Sequence, residues 1–104
     1  MTIVVVTGPP GSGKTTYVNQ RRKPGDIVWD QDVIREALCP GAVEDHAKPY
    51  LLAMRDGLVR RLAERHPLCD CWIIISKMAY AQQVAIGLRA VLVSWQGNGV
   101  GNFK

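Results

Sequence analysis

A glycine-rich segment near the start of the chain carries the clearest chemical signal. Residues 8–15 read G-P-P-G-S-G-K-T, which matches the full spacing of a phosphate-binding loop. Glycines let backbone N–H groups curl around an anion, and the positive end of the following helix adds to the attraction. Lys14 can then neutralise β- and γ-phosphates, while Thr15 offers a hydroxyl to Mg²⁺. The predicted nucleotide-binding residues are Gly8, Gly11, Ser12, Gly13, Lys14, Thr15 and Thr16.

An acidic segment follows at residues 26–35, which read D-I-V-W-D-Q-D-V-I-R. It is expected to end the second strand, opposite the γ-phosphate, where a carboxylate can accept a hydroxyl proton or hold a metal-bound water. Asp32 is predicted to begin the next helix, and Arg35 lies one turn further, so the two can face one substrate. The alternative is that Asp32 only caps this helix and that Arg35 pairs with Glu36 or solvent.

Composition limits the classes of protein to consider. The chain has 104 residues, 47% of them apolar and 21% charged, which suits one globular domain with a modest core. The formal charge of +4 comes from residues 53–104, where seven basic residues face three acidic ones. An excess of basic residues in this half is typical of proteins that bind phosphate-rich ligands or nucleic acid, but it can equally serve only to keep the protein soluble. The three cysteines and the absence of a signal peptide or membrane span favour a reducing, cytoplasmic location.

Apolar runs alternate with helical patterns along the chain. Because strands alternate with helices, we expect an α/β fold, a three-layer α/β/α sandwich around a short, mainly parallel, four-stranded sheet. Residues 1–95 are predicted to form a nucleotide-binding domain, and residues 96–104 a flexible glycine-rich tail. The predicted strands are 2–7, 26–30, 71–75 and 90–95, and the predicted helices are 14–22, 32–38, 44–65 and 79–86.

The tryptophans are expected to pack in the core rather than bind a base. Trp72 and Trp95 lie within predicted strands, where core packing is favoured over base stacking. Trp29 adjoins the proposed acceptor site and could stack on a base, although the core is again the expected environment.

The loop at residues 8–15, followed by Asp32 and Arg35 in the pattern D-x-x-R, resembles the small, adenylate-kinase-like P-loop kinases. The most similar patterns are those of 5′ polynucleotide kinase domains and zeta-toxin-like kinases, and short bacteriophage-type P-loop ATPases are also similar. The resemblance covers residues 2–38 and implies a truncated kinase-like fold. It implies that Asp32 is the general base for the acceptor hydroxyl and that Arg35 contacts the substrate or a phosphate.

The chain departs from this family pattern at charged positions. The strand at residues 71–75 ends in Ser76-Lys77 and no acid follows it, so Asp30 or Asp32 would have to hold the metal-bound water. A lid with arginines and a fifth strand are also missing from the pattern. A single arginine can supply ~10³–10⁵ in the rate of phosphoryl transfer. The candidates to replace the lid arginine are Arg55, Arg60, Arg61 and Lys77, unless a partner donates one.

Two functions are therefore expected from the sequence. The first is a kinase that uses ATP and Mg²⁺, or a slow ATPase, with Lys14, Asp32 and Arg35 as catalytic residues and with Thr15 and Asp32 at the metal. The acceptor would be a hydroxyl of a nucleoside, nucleotide or nucleic-acid end. The second is a degenerate nucleotide-binding module that regulates a partner without efficient catalysis. In either case a homodimer or a protein partner could complete the site, and no membrane is expected to take part.

Overall fold

The computed structural model describes residues 1–97. The eight elements expected from the sequence are all present, with small differences at their ends. In chain order they are β1 (Ile3–Thr7), α1 (Lys14–Arg21), β2 (Ile27–Trp29), α2 (Gln31–Leu38), α3 (Lys48–Glu64), β3 (Cys71–Ile74), α4 (Met78–Leu88) and β4 (Val91–Ser94).

The largest difference lies at the start of α3, which begins at Lys48 rather than at residue 44. Pro49 occupies the first turn of the helix, where its missing N–H costs nothing and its fixed φ favours helix. The preceding residues 42–47 are bends and turns. Pro49 therefore favours a helix start close to it, because a proline in the helix interior would remove a hydrogen bond and clash with the preceding turn.

The four strands form one parallel sheet in the order β2-β3-β1-β4. The pairing Val5↔Ile73 joins β1 to β3, and Val5↔Leu92 joins β1 to β4. This arrangement confirms the predicted α/β fold with a four-stranded parallel sheet. Since the strands are parallel, their carboxyl ends meet at one edge of the sheet, where ligands bind in open α/β folds.

Helices cover both faces of the sheet unequally. Helix α1 packs against β1 and β3, whereas α4 packs against β1 and β4, with α3 on α4 and α2 on α3. The chain crosses the sheet in one direction from β1 to β2, and in the opposite direction from β2 to β3 and from β3 to β4. Because each crossover is right-handed, α1 lies on one face of the sheet and α2, α3 and α4 lie on the other. Val6 and Val18 are fully buried and lie outside the main apolar cluster.

The main apolar core lies on the face covered by α3 and α4. Trp29 is 5% exposed and belongs to this core, as expected from the sequence. Cys71 is also buried there, and burial raises the pKa of its thiol to about 11, which keeps it protonated and unreactive. The buried members of the cluster are Ile3, Val5, Trp29, Ala47, Leu51, Leu62, Cys71, Ile73, Ile75, Ala81, Val84 and Ala85.

No helix within residues 1–97 combines the length and the apolar character that are needed to cross a membrane. Of the predicted tail, the structure describes Gln96 and Gly97, and Gly97 is buried beside Ser12. The rest of the tail, residues 98–104, lies outside the described residues, and the domain boundary at residue 95 stays a prediction.

A polar network ties together the amino ends of the strands. The Lys23 ammonium donates to Asp70 at 2.7 Å, and the Thr2 N–H donates to the same side chain at 2.9 Å. These two contacts hold the pKa of Asp70 below its ordinary value of 3.8. Asp26 accepts hydrogen bonds from the Lys23 N–H and from the Trp72 indole, and these bonds lower the pKa of Asp26 as well. Ionised carboxylates therefore stabilise the fold at this end of the sheet.

Stability should depend on pH through Asp70. Its folded-state pKa is depressed, so its contribution to the free energy of unfolding is complete above its unfolded pKa of 3.8 and is lost as the pH falls through the folded value. Urea unfolding should show Asp70→Asn to be less stable than wild type at about pH 6, with a smaller difference at about pH 3. The control Glu64→Gln, which removes an exposed carboxylate from α3, should keep the pH dependence of the wild type. An equal deficit of Asp70→Asn at both pH values would contradict the assignment.

Candidate functional site

The loop between β1 and α1 has the backbone of an anion cradle. Gly11 has φ +75° and Gly13 has φ +86°, values that side-chain-bearing residues rarely adopt. The Ser12 N–H donates to the Pro9 carbonyl at 3.2 Å, which closes the turn. Gly13 then forms the amino-terminal cap of α1 without any side-chain hydrogen bond. The first N–H groups of α1 have no capping side chain and can serve an anion at this end of the helix.

Lys14 closes over the loop. Its side chain is only 8% exposed, and its Nζ donates to the Gly8 carbonyl at 3.0 Å and to the Pro9 carbonyl at 2.9 Å. A buried ammonium group is costly unless it is hydrogen-bonded, and these two carbonyls supply that compensation. Phosphate oxygens offer stronger, charge-assisted bonds to the same group. The Lys14 ammonium group therefore lies at the loop, where it could exchange the two carbonyls for the oxygens of a bound anion.

Asp30 lies across the cleft from the loop and contacts Thr15. Thr15 Oγ1 donates to Asp30 Oδ2 at 2.5 Å, and Asp30 is only 6% exposed. The other oxygen, Oδ1, accepts from the N–H groups of Asp32 at 3.2 Å and Val33 at 3.5 Å. A threonine hydroxyl beside a carboxylate provides hard oxygen donors of the kind that Mg²⁺ prefers.

This contact corrects one interpretation of the sequence. Asp32 was a candidate cap for α2, but the helix begins at Gln31 and Asp30 is its cap. Asp30 has the extended backbone of a cap residue, with φ −129° and ψ 105°. Asp32 instead lies in the first turn, so its carboxylate is not used for capping.

Asp32 and Arg35 do face one another. Arg35 Nη1 lies 3.2 Å from Asp32 Oδ1, and Arg35 Nε lies 3.3 Å from Asp45 Oδ1. The Asp32 side chain is 87% exposed. Glu36 accepts from the Gly41 N–H instead, so the alternative pairing of Arg35 with Glu36 is wrong. The base and the cation expected from the sequence lie together, although their role in a reaction stays a prediction.

Two adjoining cavities surround these groups. The first has a volume of about 410 Å³ and is bordered by Gly11, Gly13, Lys14, Thr15, Asp30 and Asp32. The second has a volume of about 830 Å³ and lies between α2, α3 and the start of α4. Both cavities are lined by Gln31, Asp32, Ile74 and Ser76, so the smaller cavity adjoins the larger one. We call them the loop cavity and the second cavity.

The lining of the second cavity shows which of the four basic residues proposed to replace a lid arginine lie near the site. Arg55 and Lys77 border this cavity, whereas Arg60 and Arg61, from the carboxyl-terminal half of α3, are not part of its lining. The structure therefore brings two of the four candidate cations to the site. At the end of β3, where the family pattern carries an acid, the described chain has Ser76, whose carbonyl accepts from Thr7 Oγ1 at 3.5 Å. The carboxylates at the loop cavity are those of Asp30 and Asp32.

A contact that the sequence did not indicate joins the end of β4 to the loop at residues 8–15. Trp95 follows β4 and is half-buried, with its ring centroid 4.7 Å from that of Tyr17. The Arg21 guanidinium lies 3.6 Å from the centre of the Tyr17 ring. The Trp95 main chain runs against Gly8, with no room for a side chain there. The indication available in the sequence was that Trp95 ends the predicted strand at residues 90–95.

Gly8→Ala should destabilise the fold through this contact. A Cβ at residue 8 would lie 2.1 Å from the Trp95 carbonyl oxygen, a backbone atom that cannot rotate away. Urea unfolding should show a loss of about 1–3 kcal/mol. Gly57→Ala is the matched control, because a Cβ there meets nothing within 4 Å and alanine favours the helix interior. If Gly8→Ala unfolds at the wild-type urea concentration, the close approach of the two segments is wrong.

Comparison with known proteins gives one partial relationship. No model of a known protein family matches the chain. A dephospho-CoA kinase from Aeromonas hydrophila is 44% identical over 72 residues, which cover 62% of this chain and 35% of that protein. The chain thus spans about a third of the length of the curated relative that it matches. The parallel α/β fold of the chain is consistent with this similarity to part of a kinase.

Proposed function

We propose that the chain binds the phosphates of ATP in the loop at residues 8–15 and transfers the γ-phosphate to a hydroxyl acceptor. The observation that carries this proposal is the contact between Thr15 and Asp30 beside Lys14. A cation, a hydroxyl and a buried carboxylate converge where a bound triphosphate would end. Phosphoryl transfer depends on positioning and charge neutralisation, which these groups can supply.

Mg²⁺ is the metal that this donor set suits. Thr15 Oγ1 and the Asp30 carboxylate would hold it directly or through water, because both are hard oxygen donors. When bound, the ion would neutralise charge on the β- and γ-phosphates. The sequence led us to expect Asp32 at the metal, but the contact with Thr15 favours Asp30 for that role.

Asp32 suits the role of general base. It lines both cavities, and thus lies between the loop that would bind the donor and the space available for an acceptor. Its carboxylate would take the acceptor's hydroxyl proton as the acceptor oxygen forms its bond to the γ-phosphorus. The bond from that phosphorus to the β,γ-bridging oxygen breaks, and ADP leaves. Arg35, which pairs with Asp32, would orient the acceptor.

The acceptor belongs to the class of nucleosides, nucleotides or nucleic-acid ends. The curated relative is a dephospho-CoA kinase, so dephospho-CoA joins the acceptors to be tested. Arg55 and Lys77, which line the second cavity, are the cations that could take the place of a lid arginine.

A nucleotide-dependent regulator is the second candidate function. It is favoured by β4, which within residues 1–97 is an edge strand that leaves Val91 52% and Leu92 37% exposed. Apolar side chains on an unpaired strand edge suit contact with a partner or a second copy. In this case ATP would bind but no phosphate would be transferred.

Calorimetric titration with ATP and Mg²⁺ tests the phosphate site. Wild type should bind, and Lys14→Ala should bind about tenfold more weakly or not at all, because a charge-assisted bond to phosphate is lost. Arg61→Ala is the matched control, since it removes a positive charge from an exposed position on α3 outside both cavities. Absence of ATP binding by folded wild type, or equal binding by Lys14→Ala, would refute the site.

The same proteins separate the kinase from the regulator. Wild type should release ADP and phosphorylate one acceptor of a panel that includes dephospho-CoA. Asp32→Asn should keep its affinity for ATP and lose about 10²–10⁴ in the transfer rate, the range for a general base. Tight ATP binding without transfer to any acceptor would favour the regulator.

A further inference from the structure

We propose that two copies of this chain associate through one face of α3, with the two α3 helices antiparallel about a twofold axis. The proposal concerns a surface outside both cavities of the candidate site, and it does not depend on the proposed phosphoryl transfer.

An apolar groove lies between the end of α2 and the first half of α3. Its volume is about 560 Å³, and none of its lining residues within 1–97 borders the loop cavity or the second cavity. We call it the α3 groove. Its lining includes Leu38, Cys39, His46, Tyr50, Ala53 and Met54.

The large side chains of the α3 groove are open to solvent. Leu38 is 47% exposed, Tyr50 is 68% exposed and Met54 is 44% exposed. Because they line one groove, they form a contiguous apolar surface, and such a surface marks a protein–protein contact. Its removal from water is the main favourable contribution to association.

Helical spacing extends this surface along α3. Tyr50, Met54, Gly57 and Arg61 follow one another at intervals of three or four residues, so they lie on one face of the helix. A Cβ added at Gly57 would meet no atom of the described chain within 4 Å. The helix backbone is therefore uncovered at Gly57, where a side chain of a partner can approach closely.

Charges of opposite sign lie at the two ends of this face. Before α3, the Glu44 side chain is 76% exposed, and its Oε2 lies 3.0 Å from Nε2 of His46. Near the end of α3, the Arg61 side chain is 66% exposed, and it lies 4.0 Å from the Glu64 carboxylate. An exposed ion pair at that distance contributes little, so Arg61 is available to a carboxylate of a partner.

This face is complementary to a second copy of itself. A twofold axis between Ala53 and Met54 reverses the order of the residues, so Tyr50 of each copy lies opposite Gly57 of the other. The tyrosine ring then covers the open backbone at the glycine, and both copies bury the same patch. Met54 packs beside the axis, where its flexible side chain can fill the space between the helices.

The charges select the antiparallel orientation. In this arrangement Arg61 of each copy lies beside residues 44–46 of the other, so its guanidinium meets the Glu44 carboxylate. A parallel arrangement would instead place Arg61 beside a second Arg61, and like charges across an interface oppose association.

Sedimentation velocity of the full chain at increasing concentration tests the proposal. Wild type should reach the mass of two chains. Met54→Lys should stay a single chain at concentrations where wild type is paired, because it places two ammonium groups beside the axis. Tyr50→Lys, at a more exposed position, gives a second reading if circular dichroism shows that Met54→Lys does not fold. Ile86→Lys is the matched control on α4, because Ile86 is 78% exposed and outside the α3 groove, and it should pair as wild type does.

An exchange of charges tests the orientation. Arg61→Glu and Glu44→Arg should each raise the dissociation constant of the pair about tenfold, because each variant places like charges opposite one another. The double variant should return the constant to the wild-type value, since opposite charges then face each other again.

Several results would overturn the proposal. These are a wild type that stays a single chain up to about 1 mM, pairing that persists in folded Met54→Lys or folded Tyr50→Lys, pairing that Ile86→Lys abolishes, or a double variant that pairs no more tightly than either single variant.

Discussion

The hydrogen bond from Thr15 to Asp30 joins the two chain segments on which the site depends. Thr15 lies in the first turn of α1, after the loop at residues 8–13, and Asp30 follows β2 and caps α2. Strands β1 and β2 are not neighbours, because β3 lies between them. The contact therefore spans the end of β3 and sets the width of the loop cavity. The buried Asp30 carboxylate is also satisfied by two N–H groups of α2, so the same side chain fixes the helix that carries Asp32 and Arg35.

The parallel sheet makes this convergence possible with a short chain. All four strands end at one edge, and each end contributes something to the site: the loop after β1, Asp30 after β2, Ser76 after β3 and Trp95 after β4. The opposite edge is tied by Lys23, Asp26 and Asp70. Core packing on the α3 and α4 face then holds the strands in register.

Much of this could be predicted because the informative residues are local in sequence. The loop at residues 8–15 has a fixed spacing, and alternating apolar runs and helical patterns specify a parallel sheet. The sequence could not show that Asp30, and not Asp32, caps α2 and contacts Thr15. This depends on the residue at which β2 ends, and the two acids are separated by only one residue. The packing of Trp95 on Tyr17 and of Arg55 on Tyr80 joins distant segments, so no local pattern indicates either contact. The predicted start of α3 at residue 44 differs from the observed start at Lys48, because proline is favoured in the first turn of a helix and not in its interior.

The most direct test of the central claim is a crystal structure with Mg²⁺ and a nonhydrolysable ATP analogue. The account predicts the β- and γ-phosphates inside the loop at residues 8–15, with the Lys14 ammonium moved from the Gly8 and Pro9 carbonyls to the phosphates. It also predicts the metal beside Thr15 and Asp30. Phosphates bound elsewhere, or a Lys14 side chain still on the two carbonyls with the analogue bound, would contradict it.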